Sequence, residues 1–75
     1  MTTLREARIR RLWSIRELAK RAEVSPRTIV QAEAGRLVPR YSTMRKIAAA
    51  LDMEPTTIAE FAQAVEDAVE GKDAA

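Results

Sequence analysis

The stretch from 15 to 34 constrains the fold most, because its pattern predicts two short helices separated by a tight turn. The first helix, predicted over 15–22, is preceded by Ser14 and carries Glu17 three positions after that serine. Serine and glutamate at this spacing form a capping box, in which each side chain accepts a hydrogen bond from the other residue's backbone N–H. This pattern marks the start of a helix.

The second helix of the pair is predicted over 26–34. Ser25 is an N-cap residue, and Pro26 occupies the first helical position, where its missing N–H removes no helical hydrogen bond. Gly35 predicts the end of this helix. With the small residue Ala19 where the two helices would cross, the segment predicts a helix-turn-helix.

Residues on both sides of this segment extend the pattern into a family resemblance. The residues that carry it are Leu4, Arg8, Ser14, Glu17, Leu18, Ala19, Val24, Ser25, Ile29, Glu33, Ala34, Gly35, Pro39, Ile47, Ala48 and Leu51. Over residues 4–60 the chain resembles the Cro/repressor-type (XRE) helix-turn-helix family. The resemblance implies an all-α, lambda-repressor-like bundle of about five helices. At two positions the chain differs from that family: Glu23 replaces the usual turn glycine, and Ile15 replaces a glutamine that often contacts phosphate.

The 75 residues predict one small domain, at 1–71, and a frayed tail at 72–75. The predicted helices span about 3–12, 15–22, 26–34, 41–51 and 55–70. Glu54 and Pro55 are expected to start the fifth helix by the proline rule that applies to the third.

Charge is distributed unevenly along the chain. Residues 1–46 carry twelve arginines and lysines against four acids, a net +8, whereas residues 47–75 carry one lysine against seven acids, a net −6. Ten of the thirteen cations are arginine, whose planar guanidinium is suited to phosphate. The asymmetry predicts a basic face that contacts a polyanion and an acidic end held away from it; a simply solvated surface is the alternative.

The resemblance places the helix at 26–34 in the major groove of DNA. Its outward residues Arg27 and Gln31 are one helical turn apart. Arginine can donate two hydrogen bonds to guanine, and glutamine can form a matching pair with adenine. We therefore expect Arg27 and Gln31 to read bases. Val30 is expected to touch a thymine methyl group, and Pro26 to make apolar contact at the helix tip.

Phosphate contacts are expected around this helix, because exposed arginines and free N–H groups at helix N-termini bind phosphate. The candidates are Arg16, Ser25, Thr28, Arg36, Arg40 and Tyr41. The resemblance leaves open whether Arg40 approaches the minor groove instead. Phosphate contacts position a protein on DNA without reading its sequence.

Arg8 and Trp13 are expected to have structural roles. Arg8 shares a helical face with the apolar residues Leu4 and Ala7, so its charge points inward and needs a partner. The resemblance implies that this partner is Glu33. Trp13 is expected to cover the core rather than to stack on a base.

The fifth predicted helix is longer than a small bundle needs. Its apolar stripe contains Phe61, Ala62, Val65, Ala68 and Val69, and the acids expected at the rim are Glu60, Glu66, Asp67 and Glu70. We expect the stripe to form a homodimer interface, with the alternative that this helix folds back on the first helix. On the dimer interpretation, Phe61→Asp is expected to give a folded monomer.

The sequence therefore predicts a cytoplasmic, sequence-specific regulator of transcription, a homodimeric repressor on a pseudo-palindromic operator in double-stranded DNA. The chain has no histidine or cysteine, and Ser14 and Ser25 stand at helix caps with no base nearby, so we expect no enzyme, no metal site and no cofactor. No apolar run approaches the roughly 18 residues of a membrane span. The alternative is an antitoxin or adaptor of the same fold, which would bind a toxin or another protein through the stripe at 58–69.

Overall fold

Short caps and tight turns divide the chain into helices with little loop between them. The computed structural model describes residues 1–71, which form five α-helices and one 3₁₀ turn. The elements are α1 (Leu4–Arg10), α2 (Ile15–Ala22), α3 (Pro26–Glu33), α4 (Tyr41–Ala50), the 3₁₀ turn Pro55–Thr57 and α5 (Ala59–Glu70). The predicted all-α class is confirmed, and the predicted bounds of α2, α3 and α4 hold to within one residue. The predicted tail lies outside the described residues.

The complete capping box forms at α1 and not, as predicted, at α2. Thr3 Oγ1 accepts a hydrogen bond from the Glu6 N–H at 3.1 Å, and Glu6 Oε1 accepts one from the Thr3 N–H at 2.8 Å. The bond from the Thr3 N–H favours the ionised carboxylate and lowers the pKa of Glu6. At α2, Ser14 Oγ accepts the Glu17 N–H at 3.0 Å. The Glu17 carboxylate pairs instead with Arg21, one turn away, at 2.7 Å.

Helices α1 to α4 all end in a Schellman motif, in which a left-handed residue turns the chain and two N–H groups bond back to the last turn. Gly35 (φ 73°) holds the left-handed position after α3, and its N–H bonds to Ala32 O at 3.2 Å. The Arg36 N–H bonds to Gln31 O at 3.0 Å. The equivalent left-handed residues after α1, α2 and α4 are Leu12 (φ 58°), Glu23 (φ 59°) and Asp52 (φ 54°).

The first helix ends at Arg10, two residues before its predicted limit at 12. Leu12 is left-handed although it carries a branched apolar side chain, and that side chain is 91% exposed. The turn brings the Trp13 N–H to Arg8 O at 3.3 Å, and Arg8 Nη1 donates to the Trp13 carbonyl at 2.9 Å. Helix propensity misses this turn because tertiary contacts of the following residue hold it in place.

The core gathers side chains from every helix. Its fully buried large members are Leu4, Leu18, Ile29, Ile47, Leu51, Ile58 and Phe61. Burying one such side chain contributes about 1.5–3 kcal/mol relative to leaving it in water. Ala19, Ala32 and Ala48 are also buried, and their small side chains let the helices that carry them approach their neighbours closely.

The fifth helix does not begin at the predicted proline. Pro55 opens the 3₁₀ turn, which ends at Thr57, and Ile58 is then extended (φ −95°, ψ 123°). Ile58 forms a parallel bridge with Thr2, and the Ala59 N–H bonds to Thr2 O at 2.7 Å. Because this segment pairs with the N-terminus of the chain, the α-helix starts only at Ala59.

Candidate nucleic-acid interface

The α2–turn–α3 unit fixes the direction of α3. Glu23, at the position of the predicted turn, is left-handed and ends α2. Ser25 Oγ accepts the Thr28 N–H at 3.2 Å, and Pro26 follows at the first helical position, as predicted. Ile29 is fully buried beneath the helix. The opposite side of α3 therefore faces outward.

That outward side carries the four predicted base-contacting residues. Pro26 and Arg27 are exposed, Val30 is 48% exposed and Gln31 is half-buried. Within residues 1–71 the Arg27 guanidinium has no ion-pair partner. None of these four side chains belongs to the buried core, so their exposed surfaces are available to a ligand. Their contact with bases remains a prediction.

Exposed arginines without an ion-pair partner in the described part of the chain flank α3. Arg16 lies at the start of α2, Arg36 follows α3, and Arg40 immediately precedes α4. An unpaired exposed guanidinium retains all five N–H donors for an anion. The arrangement places positive charge on more than one side of the exposed face of α3.

The two hydroxyls at the start of α3 bind each other. Ser25 Oγ and Thr28 Oγ1 are 2.9 Å apart, and Ser25 Oγ also caps the helix. The pair has two hydroxyl hydrogens and uses one in the mutual bond. One hydroxyl hydrogen therefore remains for a phosphate, so the two predicted contacts amount to a single donor.

Arg40 and Tyr41, two phosphate candidates at the start of α4, line different cavities. Arg40 is the N-cap of α4, and its side chain makes no hydrogen bond to the first turn. Arg40 lines a cavity that also contains Thr28 of α3. Tyr41 lines a different groove, between α4 and α5. Its ring is exposed, and its phosphate contact stays a prediction.

Arg8 and Glu33 form the ion pair that the family resemblance implied. Arg8 Nε lies 2.6 Å from Glu33 Oε2, and Arg8 Nη2 lies 3.1 Å from Glu33 Oε1. Their side chains are 11% and 9% exposed. The bidentate bond to the carboxylate raises the pKa of Arg8. Since Nη1 bonds to the Trp13 carbonyl, every guanidinium nitrogen of Arg8 is engaged. The pair ties α1 to the end of α3.

Trp13 is half-buried and packs against the core, as expected of a residue that covers it. The guanidinium carbon of Arg21 lies 4.4 Å from the ring centroid, and that of Arg11 lies 5.9 Å from it. Both distances fit cation–π contacts. The ring is thus occupied by arginines of its own chain.

The burial of residues on α5 corrects the prediction that its whole apolar stripe forms a dimer interface. Phe61 is fully buried in the core of its own chain, so it cannot meet a second subunit. Ala62, Val65 and Ala68 are half-buried, and Val69 is 77% exposed. The first half of α5 therefore packs on its own bundle, and the bond from the Leu4 N–H to Glu60 Oε1 joins it to the first helix, on which the alternative had this helix fold back. An aspartate at Phe61 would disrupt the core and not merely separate subunits, so that expectation was wrong.

An apolar groove remains between α4 and the second half of α5. Its volume is about 270 Å³, and it is lined by Tyr41, Met44, Arg45, Pro55, Val65, Ala68 and Val69. Three of the predicted interface residues, Val65, Ala68 and Val69, lie here. The groove is an exposed apolar surface that lies between the basic and the acidic parts of the chain, and its one charged lining residue is Arg45.

Two charged side chains have structural roles that the sequence did not predict. Arg11 Nη1 donates to Ala7 O at 3.3 Å, and Arg11 Nη2 donates to Leu51 O, which ties α1 to the end of α4. Glu60 Oε1 accepts the Leu4 N–H at 2.9 Å. Glu60 was expected at the rim of the stripe, but it binds the start of α1. For Arg11 the sequence did carry a signal of a structural role, because Arg11 falls on the apolar face of the predicted first helix.

Comparison with known proteins identifies one family. A family model described as helix-turn-helix matches residues 4–65. No curated protein and no solved structure matches the chain. Among residues 1–71, no helix is both long and apolar enough to cross a membrane. In that same range, no group of three or more aspartate, glutamate, histidine or cysteine side chains is placed to hold a metal ion.

Proposed function

Because the chain belongs to the helix-turn-helix family of XRE-type DNA-binding transcription regulators, we propose that it is a repressor that binds a pseudo-palindromic operator as a homodimer. Repression is the simplest outcome of such binding, since a protein on an operator excludes other proteins by occupancy alone. The role we propose is binding and not catalysis. What supports it is the free outward face of α3 among unpaired arginines.

In this proposal α3 lies in the major groove. Arg27 and Gln31 then face the edges of the base pairs, where arginine distinguishes guanine and glutamine distinguishes adenine. Val30 and Pro26 supply apolar contacts, so few polar groups read the sequence. Specificity would depend on Arg27 and Gln31 together, because each good bidentate pair with a base is worth about 1–3 kcal/mol of discrimination.

The phosphate backbone would be bound on both sides of α3. Arg16 would contact it from the start of α2, and Arg36 and Arg40 from the segment between α3 and α4. The Ser25–Thr28 pair would add one hydroxyl donor. Each neutralised phosphate releases counterions, so binding should weaken steeply as salt rises.

We infer a homodimer because one DNA-binding domain of this size contacts too little of the duplex. One helix contacts only a few base pairs, and two half-sites about 34–36 Å apart supply the rest of the specificity. The apolar groove between α4 and α5 is the surface we assign to the subunit contact, with Val65, Ala68 and Val69 in place of the buried Phe61. Arg45 lines the groove and α5 is rich in acids, so a twofold axis can pair charges of opposite sign around the contact.

The same groove supports the alternative function. An antitoxin or adaptor would use it to bind a different protein, such as a toxin, and fold alone does not separate the two uses. Oligomeric state separates the two uses of the groove. The repressor proposal requires a dimer of the isolated chain, whereas the isolated chain stays monomeric if the groove binds a different protein.

The first experiment is a binding-site selection from random duplexes, followed by titration of the selected operator. We expect Arg27→Ala to weaken operator binding by about 1–3 kcal/mol per half-site and to relax preference at one base pair. Arg40→Ala should weaken all duplexes alike and reduce the salt slope by about one unit per half-site. Lys20→Ala on α2, a cation to which we assign no contact, is the control.

Two results would contradict these roles. Equal loss of affinity for operator and random DNA in Arg27→Ala would remove that residue from base reading. A salt slope in Arg40→Ala equal to that of the unmodified chain would remove Arg40 from the phosphate contacts. If the selection enriches no sequence at all, sequence-specific regulation is rejected.

A further inference from the structure

A polar cavity lies on the side of α3 away from the Arg36–Arg40 segment. Its volume is about 340 Å³, and it is lined by Arg5, Arg8, Ile15, Val30, Glu33 and Ala34. Three helices contribute: α1, the first position of α2, and the second half of α3. The cavity opens at the surface beside Val30, one of the residues on the outward face of α3.

The charge of this cavity comes from one side chain. Arg8 and Glu33 neutralise each other in their buried pair, and all three guanidinium nitrogens of Arg8 are already engaged. Arg5 is exposed and has no ion-pair partner anywhere in residues 1–71. The lining therefore carries a net charge of +1, and the Arg5 guanidinium has all its donors available.

The neighbouring position cannot supply a side-chain donor. Ile15 lines the same cavity, and its hydrocarbon side chain offers no hydrogen bond to an anion. Its backbone N–H, at the first position of α2, has no acceptor within the described residues. A group bound here would thus meet one guanidinium and one main-chain N–H, and the chemistry that fits is a singly charged phosphodiester.

We propose that this cavity is a phosphate-binding pocket of the DNA interface and that Arg5 binds a backbone phosphate of the operator in it. The proposal rests on the proposed function, because the phosphate belongs to the duplex whose major groove α3 enters. With Arg16, Arg36 and Arg40 elsewhere around α3, Arg5 adds a contact from α1. It positions the protein and reads no base.

Arg10 provides a matched control for Arg5. Both are exposed arginines on α1 without an ion-pair partner in residues 1–71. Five residues along an α-helix correspond to a rotation of about 140°, so Arg10 points away from the cavity. Neither side chain makes a contact that holds the fold, so both alanine variants should fold, which circular dichroism and thermal unfolding would verify.

The test is a titration of labelled operator duplex by fluorescence anisotropy at several salt concentrations between about 50 and 200 mM. Arg5→Ala should reduce the slope of log K against log salt by about 0.9 per half-site. Near 0.15 M salt this corresponds to a roughly fivefold loss of affinity per half-site. Arg5→Lys, which keeps the charge, should restore the slope, and Arg10→Ala should leave it unchanged.

Ethylation interference locates the contact on the duplex. Ethylation of one phosphate per half-site should weaken binding of the unmodified chain more than binding of Arg5→Ala, which keeps only the Ile15 N–H at that phosphate. A slope in Arg5→Ala equal to that in Arg10→Ala, with unchanged interference, overturns the pocket while DNA binding by the unmodified chain still stands. Absence of salt-dependent duplex binding by the unmodified chain overturns the proposed function, and the pocket with it.

Discussion

Arg8 is a buried charge whose stability depends on a single acid, Glu33. Removing either partner leaves the other, whose side chain is only 11% (Arg8) or 9% (Glu33) exposed, without its counter-charge. We therefore expect Arg8→Ala and Glu33→Ala each to lower the free energy of unfolding by about 3–5 kcal/mol. The exposed pair of Arg21 and Glu17, whose side chains are 51% and 40% exposed, is the control. Arg21→Ala should cost less than about 1 kcal/mol, although it also loses a contact with Trp13. Urea unfolding measures all three, and equal losses would reject the burial argument.

The direction of each side chain on α3 could be read from the sequence. Helical periodicity and the cap at Ser25 determine which residues face inward, so the exposure of Arg27 and the burial of Ile29 followed from spacing. The contribution of Arg5 could not be read that way. Arg5 and Val30 are distant in sequence, and only the packing of α1 against α3 brings them to one cavity.

Leu12 and Glu23, the left-handed residues that follow α1 and α2, lead to a prediction about stability. A residue other than glycine in the left-handed conformation costs roughly 1–2 kcal/mol. Glycine avoids that cost, but it gives the unfolded chain more conformational freedom, which offsets part of the gain. We expect Leu12→Gly and Glu23→Gly each to raise stability by about 0.5–1 kcal/mol. In thermal unfolding a domain of this size should gain roughly 4–8 °C per kcal/mol. Lys20→Gly, inside α2, should instead lose about 1 kcal/mol.

Gly35 supplies the reverse test. It has a φ of 73° with open space where a Cβ would stand, so Gly35→Ala would meet backbone strain and no collision. A loss of about 1 kcal/mol is expected. If Leu12→Gly destabilises the protein as Lys20→Gly does, the left-handed leucine is held by contacts that outweigh its strain.

Element boundaries were predictable where a cap fixed them and not where distant contacts did. Ser25 and Pro26 define the start of α3 locally. Pro55 gives the same local signal, yet pairing of Ile58 with Thr2 keeps that segment out of the α-helix. Backbone pairing between residues far apart in sequence leaves no trace in local periodicity, and so the start of α5 was misplaced.

At the scale of the whole molecule, most of the exposed basic residues and the apolar groove lie in different places. Unpaired arginines flank α3, whereas the apolar groove lies between α4 and the acidic helix α5, with Arg45 as its one charged lining residue. Composition and charge order along the chain were sufficient to predict this division. They could not tell which half of the α5 stripe closes the core, because apolar residues at helical spacing look alike whether they meet their own chain or another.

Two substitutions in α5 separate these roles. Phe61→Ala removes a fully buried ring and should cost about 3–5 kcal/mol of stability.

Val69→Asp changes a side chain that is 77% exposed, so the fold should persist while the proposed subunit contact in the groove is lost. Sedimentation equilibrium should then show a dimer for the unmodified chain and a folded monomer for Val69→Asp. Ile9→Asp, on α1 and outside the groove, should remain dimeric. A dimer that survives Val69→Asp places the contact on another surface. An unmodified chain that stays monomeric at concentrations saturating the operator favours the adaptor alternative, because a groove that no second copy fills is free for a different protein.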